Sequence, residues 1–355
     1  MTPPEPPVNF AVVGLGAFGA TSAEAVTSTP GTRLVAVADL DAERARETGA
    51  RYGVDWTTDY RELLTRADID VIGVFTPSNK HRDIVVEAAR AGKHVLVTKP
   101  LEISLDRADA MITACEEAGV ELFCEFYLRY MAENFRIHQA IEAGALGKVV
   151  LGDFSYKCYR PQSYYDADGG WRGKLADSGG GIVINQSIHA VDKLRWYLGE
   201  VESVQALTGT FTHDIEVEDT AAALLKMRSG AIGMLVGTAT FHNTNPVHPV
   251  YGGGSTSRSE VNGDLGSVIA IDNAITMWKT TGDFDPEPGD AGDGPPANVF
   301  ADVARTLRDP GYSSSTLVRG RDARASLEVV LALYESARTG QLVRVSGVDA
   351  EVEAR

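Results

Sequence analysis

The chain has 355 residues, 44% of them hydrophobic, and its 33 basic against 49 acidic side chains leave a net charge of −16. That length exceeds one ordinary core and predicts two domains, while the apolar content rules out a disordered chain. So acidic a surface repels phosphate backbones and anionic lipid, which argues against nucleic acid and against a membrane as partners.

In chain order, residues 8–13 read as a strand and 18–28 as a helix stopped by Pro30-Gly31. Residues 34–38 read as a strand, 41–51 as a helix, 70–75 as a strand, 79–91 as a helix ending at Gly92, and 94–97 as a strand. A helix over 105–118 closes at Gly119, and 121–124 forms a last strand. This alternation predicts a parallel sheet covered on both faces, an α/β Rossmann domain over residues 1–128. The texture then changes. After a helix over 132–143, the runs 149–159, 201–212, 220–227 and 231–240 alternate as antiparallel strands with one wet face. A strong helix interrupts them over 182–198, and helices over 299–308 and 321–337 close the chain. Residues 129–355 are therefore expected to form an α+β domain with a large open, mostly antiparallel sheet. The last helix, about 321–338, is expected to pack back on the first domain. Residues 281–297, rich in Gly, Pro and Asp without regular ligand spacing, read as a solvated loop.

The first strand ends in Gly14-Leu15-Gly16-Ala17-Phe18-Gly19, and Asp39 stands at the end of the second. A dinucleotide's pyrophosphate needs backbone amides at a helix N-terminus. Gly14 permits the tight turn, Gly16 leaves room for phosphate, and Gly19 lets helix and strand pack closely. Asp39 accepts hydrogen bonds from the adenine ribose hydroxyls and repels an extra 2′-phosphate; Leu40, not arginine, follows it, so NAD is preferred over NADP. Arg44 is the one residue that softens that choice. The loop Thr76-Pro77-Ser78-Asn79-Lys80-His81 follows the strand 70–75 at its carboxyl end, where open parallel sheets hold ligands. Thr76, Pro77, Asn79 and His81, with Lys99 and Pro100 farther on, are expected at the cofactor, although Ser78 or Asn79 also suits a helix cap. Lys99-Pro100 lies at the next strand's carboxyl end, and Pro100 biases Lys99 toward extended backbone facing the crevice. Farther on, Asn185, His189 and Asp192 share one helix face after the triplet Gly179-Gly180-Gly181.

With these residues in view, nearly the whole chain resembles the Gfo/Idh/MocA family, the glucose–fructose oxidoreductase and inositol dehydrogenase relatives. The resemblance rests on the glycine turn with Asp39, Thr76-Pro77-x-x-x-His81, Lys99-Pro100, Gly144-Ala145-Leu146-Gly147, Trp171-Arg172, the glycine triplet with His189-x-x-Asp192, and Ser336-Ala337-x-x-Gly340. Two positions depart from the family pattern. Thr98 stands where glutamate is common before the lysine, and Asn185 stands where aspartate is common before the histidine. The resemblance implies hydride transfer between NAD and a carbinol carbon of a sugar, sugar derivative or cyclitol. His189 is then the expected general base, since imidazole titrates near neutrality, and Lys99 hydrogen-bonds the same oxygen. Which of the two takes the proton stays open, as does whether Asp192 orients His189 or only satisfies the helix surface.

Substrate contacts are expected from Asn185, Tyr165, Trp171, Arg172, Asp192 and Arg129, with aromatics able to pack on the C–H face of a sugar. The same scaffold with recycled NAD would act as a glycosidase through oxidation at C3 and elimination. A non-enzymatic nucleotide-sensing regulator is a third reading, but it would be expected to lose the lysine and histidine, and both are present. No metal is expected, because the histidines show no ligand spacing and Cys115, Cys124 and Cys158 show no C-x-x-C pairing. The N-terminus does not read as a signal peptide and no apolar run spans a bilayer, so a cytoplasmic enzyme is expected. The open sheet would expose a broad apolar face in a monomer, which predicts a homodimer or homotetramer.

Overall fold

The computed structural model describes residues 6–243, 252–281 and 294–346. The chain forms two compact units, Met1–Tyr130 with Pro296–Ala323 and Met131–Pro295 with Arg324–Arg355.

The first unit holds strands β1 (Val8–Val13), β2 (Thr32–Ala38), β3 (Asp55–Thr57), β4 (Val71–Val74), β5 (His94–Thr98) and β6 (Leu122–Glu125). They lie in the order β6-β5-β4-β1-β2-β3, all parallel, and the late strand Val318–Arg319 adds antiparallel outside β6. All four residues of β4 and of β6 are buried, as expected of strands covered on both faces. The strand order reverses between β1 and β4, which places a crevice at their carboxyl ends.

Residues 296–323 belong to this unit, whereas the sequence pattern places everything after residue 128 in the second domain. The reason is packing. Val299, Phe300 and Val303 of the helix Val299–Arg308 join the core of Phe10, Val12 and Phe123, and Phe300 meets Phe10 edge-on at 5.8 Å between ring centres. Burying one such phenylalanine contributes about 1.5–3 kcal/mol. Asp302, fully buried, accepts hydrogen bonds from Tyr130 (2.9 Å), Tyr312 (3.0 Å), Ser314 (2.6 Å) and Thr316 (2.7 Å), so the whole segment is tied down.

The second unit holds β7 (Val149–Cys158), β8 (Val201–Gly209), β9 (Thr220–Met227), β10 (Ile232–Thr238), β11 (Ser255–Gly263), β12 (Gly266–Ile271) and β13 (Ala274–Thr280). Their order is β13-β12-β11-β7-β10-β9-β8, with Val343–Arg344 outermost beside β8. Among the described strands of this sheet, β7 and β10 alone pair in parallel. Along β9, Ala221, Ala223, Leu225 and Met227 are buried while Ala222, Leu224 and Lys226 are exposed, the period-two pattern of a sheet covered on one face. The last helix, Gly320–Thr339, is divided between the units: up to Ala323 it belongs to the first, and from Arg324 to the second. Ser336 anchors it there, donating to the Gln341 carbonyl at 2.6 Å and accepting from the Ala206 amide at 3.0 Å. Most of the expected loop, residues 282–293, lies outside the described residues.

Candidate active site

In the first unit β1 runs into Gly14, whose φ of +86° and approach to Phe75 (a Cβ would sit 2.7 Å from its carbonyl oxygen) leave no place for a side chain. Gly19 is equally constrained, since a Cβ would lie 1.8 Å from the Gly14 oxygen. At Gly16 a Cβ would meet nothing within 4 Å. Gly16 caps the helix Ala17–Ser28 with no side-chain hydrogen bond, so the first-turn amides face open space. The Leu15 amide donates to Asp39 Oδ2 at 2.6 Å and the Asp41 amide to Oδ1 at 2.9 Å, while Arg44 lies 3.5 Å from Oδ2. Phe18, in the first turn of that helix, and Leu40, next to Asp39, are 47% and 92% exposed and leave apolar surface uncovered. Across the strand-order reversal, Thr76 Oγ1 is buried without a hydrogen-bond partner. An anion-ready helix end, an unsatisfied buried hydroxyl and uncovered apolar side chains suit a dinucleotide's pyrophosphate and adenosine.

His81 departs from expectation. It is fully buried, and its ring nitrogens sit 2.9 Å from the Thr76 carbonyl and 3.1 Å from the Leu101 carbonyl. It cannot touch the cofactor directly; it fastens the loop after β4 to the loop after β5. Burial pushes its pKa down, against the two carbonyls and the buried Glu102, which pull it up. Asn79 lends its carbonyl to Arg107 at 2.7 Å. Pro77 precedes the short 3₁₀ turn Ser78–Lys80. Lys99 follows β5, partly exposed, and its peptide bond to the buried Pro100 is cis. Arg129 is also corrected: it is buried and paired with Asp322 at 3.0 Å, which fixes the start of the last helix rather than offering a cation to substrate.

In the second unit the expected helix over 182–198 is two pieces, a π-helical turn Val183–Ser187 and an α-helix Ile188–Leu198. Asn185 lies in the π turn and His189 and Asp192 in the α-helix. π turns inside helices recur at functional sites. The glycine triplet serves protein contacts: a Cβ at Gly180 would lie 2.2 Å from the Tyr334 hydroxyl oxygen, and one at Gly181 only 1.8 Å from the Glu218 carbonyl oxygen. The Glu218 carboxylate caps the helix, accepting from the Gly181 amide at 2.7 Å, the Val183 amide at 2.9 Å and the Tyr334 hydroxyl at 2.8 Å. Burial pushes Glu218 up in pKa and these hydrogen bonds pull it back. Sequence reasoning missed both Glu218 and Tyr334, which carry no motif of their own. Asn185, partly exposed, donates to the Gly180 carbonyl at 3.1 Å, whereas His189 and Asp192 are 4% and 1% exposed.

Of the expected aromatics, Tyr165 is buried, edge-on to Tyr164 and His213 at 5.1 and 4.9 Å between ring centres. Burial pushes its hydroxyl far up in pKa. Trp171 and Arg172 are partly buried, with the Arg172 guanidinium 4.8 Å from the Trp171 ring centre and paired with Asp168 at 2.9 Å. His213 sits 3.0 Å from the buried Asp219 carboxylate and 2.7 Å from the Arg160 carbonyl. Among the described residues no cluster of His, Cys, Asp or Glu is arranged to hold a metal ion.

The doubly covered parallel sheet, the glycine turn opening a helix and the carboxylate answering it define a dinucleotide-dependent oxidoreductase. Residues 8–126 match the model of the oxidoreductase family with an NAD-binding Rossmann fold, and residues 135–269 match the GFO/IDH/MocA C-terminal domain. The chain belongs to the GFO/IDH/MocA oxidoreductase family, and its cofactor is NAD. It is 32% identical to a myo-inositol 2-dehydrogenase of Thermotoga maritima over 80% of each chain. It is 27% identical to a D-apiose dehydrogenase of Paraburkholderia graminis over 97% of this chain and 91% of that one. Among solved structures, the WlbA dehydrogenase of Bordetella pertussis, in complex with NADH and UDP-GlcNAcA, superposes with a TM-score of 0.83 at 31% identity, covering 95% of this chain and 98% of that one.

Proposed function

We propose that the protein transfers hydride between NAD and a carbinol carbon of a sugar, sugar derivative or cyclitol. The observation that carries this reading is Lys99 at the carboxyl end of β5, on the sheet edge that bears the glycine turn and Thr76. Relatives named for inositol and apiose, and a structural neighbour holding a nucleotide sugar, support a polyhydroxylated substrate. Bound NAD supplies the hydride acceptor. The protein must then remove the hydroxyl proton as the carbon is oxidised. His189 or Lys99 accepts it, and the other donates a hydrogen bond that steadies the developing negative charge on oxygen. Asn185 can bond a substrate hydroxyl through its amide but cannot act as a base. Trp171 and Arg172 contribute to substrate recognition.

Incubation with NAD and a panel of monosaccharides, inositols and glycosides tests the reading. Net NADH formation with a free polyol is expected. NAD-dependent cleavage of a glycoside without net NADH, or silence across the panel, would overturn it.

The outward face of the second sheet carries exposed Leu207, Leu224 and Ile232 on the adjacent strands β8, β9 and β10. We infer that this face joins copies of the chain into a homodimer or homotetramer. Sedimentation at micromolar concentration checks it, and a monomer contradicts it. The three cysteines are unbridged and buried, and no described helix is long and apolar enough to cross a membrane. Both facts support the cytoplasm as its place.

A further inference from the structure

Glu125 is the last residue of β6. The residue is 7% exposed, and its Oε2 is buried without a hydrogen-bond partner. Leaving a carboxylate oxygen buried and unsatisfied is costly, and such groups call for an explanation. The register supplies one. β5 and β6 run parallel with Thr98 opposite Glu125, so the carboxylate stands beside the strand end that leads into Lys99. The electrostatic partner of Glu125 is Lys99. Three cations near β6 have other carboxylate partners: Arg129 pairs with Asp322 at 3.0 Å, Arg319 with Glu121, and Arg107 with Glu102 at 2.8 Å.

We propose that Glu125 is a positioning residue for Lys99, supplying from the neighbouring strand the carboxylate that stabilises its ammonium form and holds it at the sheet edge. Thr98, the residue before the lysine, carries no charge, so within this part of the sheet the compensating charge comes from β6. Burial raises the Glu125 carboxyl to about 7, and the nearby ammonium opposes that rise. The two groups are therefore coupled: a proton gained by Glu125 weakens the hold on the Lys99 proton, and loss of the Lys99 charge favours the neutral acid. In the alkaline range where a lysine titrates, Glu125 is ionised and the stabilisation is fully present.

The proposal rests on the functional reading of Lys99 above, and its test separates the two. The reactivity of Lys99 toward acetic anhydride is measured as a function of pH by peptide mass spectrometry, in the full-length wild type, Glu125→Gln and Glu125→Asp. Glu125→Gln is expected to move the Lys99 labelling midpoint down by about one pH unit, a tenfold change in reactive amine at fixed pH. Glu125→Asp is expected to recover part of that shift. The pH profile of kcat/KM moves in parallel, with NAD affinity unchanged. An unshifted midpoint in a folded Glu125→Gln overturns the proposal. If that variant does not fold, Lys99→Met serves. The Glu125 contribution to wild-type stability is expected to fall as pH rises from 4.5 to about 7, because the folded state holds that proton more tightly than the unfolded chain. Removing the ammonium is expected to extend that loss to higher pH, and an unchanged window overturns the proposal. Turnover retained by Lys99→Met would instead sink the catalytic reading of Lys99 and leave the labelling result standing.

Discussion

The Leu15 amide donates to Asp39 Oδ2 at 2.6 Å, so the carboxylate expected to receive the adenine ribose also braces the glycine turn. Removing it acts twice. Asp39→Ala should weaken NADH binding by about 10- to 100-fold, the loss of one or two hydrogen bonds to a charged group. It also releases Arg44 from that carboxylate, now 3.5 Å away, leaving Asp41 at 3.7 Å as its acidic neighbour and the guanidinium better placed to meet a 2′-phosphate. NADPH affinity should therefore fall less than NADH affinity, or rise. Fluorescence titration with both cofactors checks this, and an unchanged affinity ratio counts against it.

Two glycines of the same turn should separate stability from binding. A methyl at Gly16 meets nothing, whereas one at Gly19 meets the Gly14 oxygen at 1.8 Å. Gly16→Ala should melt within a degree or two of wild type yet bind NAD at least tenfold more weakly, because the methyl occupies phosphate space. Gly19→Ala should lose several kcal/mol of stability, in the range of a severe steric clash. Equal melting temperatures for the two variants would contradict this assignment of space.

Tyr334 tests the cap in the second unit. Its hydroxyl donates to Glu218 at 2.8 Å and accepts the Ile184 amide proton at 3.2 Å. Tyr334→Phe strips one bond from a buried carboxylate and leaves an amide unsatisfied, which should cost about 1–3 kcal/mol. Chemical denaturation measures it. A loss below about 0.5 kcal/mol would show that the cap does not hold the π turn bearing Asn185.

Lys193 predicts a pH effect with a definite sign. It is almost fully buried on the helix Ile188–Leu198, with Nζ 3.4 Å from Asn273 Oδ1. Burial pushes its pKa from 10.5 to about 8, against Asp192 and Asp272, which pull it up. Between those values the unfolded chain binds more protons than the folded one, so stability rises with pH across the window, by up to roughly 3 kcal/mol. Lys193→Met should flatten that rise. Denaturation curves at pH 7.5 and pH 10 for both proteins check it, and parallel slopes would refute it.

What the sequence could reveal followed from how locally each feature is encoded. The β-α alternation, the glycine turn and Asp39 are short-range patterns, and 8–13, 105–118, 220–227 and 299–308 came out at the observed bounds. β11, β12 and β13 were missed because Ser255–Gly263 is polar on both faces and shows no apolar alternation; its pairing with β7 decides its state. β3 has three residues, too few for a period. The π turn left no spacing signal, since 185 to 189 falls on one face of either helix type. The roles of His81, Arg129 and Tyr165 depended on long-range partners: Leu101, Asp322 and His213 lie 20, 193 and 48 positions away. Glu218 and Tyr334 were hidden for the same reason.

The central claim concerns Lys99 and His189, and single-turnover NADH formation addresses it most directly. Lys99→Ala and His189→Ala, each saturated with NAD and given a polyol that the wild type oxidises, should lose at least about 10²-fold in rate, as expected for removal of a general base or an oxyanion donor. NAD affinity measured in parallel should stay within a few-fold of wild type. Wild-type rates in both variants would contradict the account.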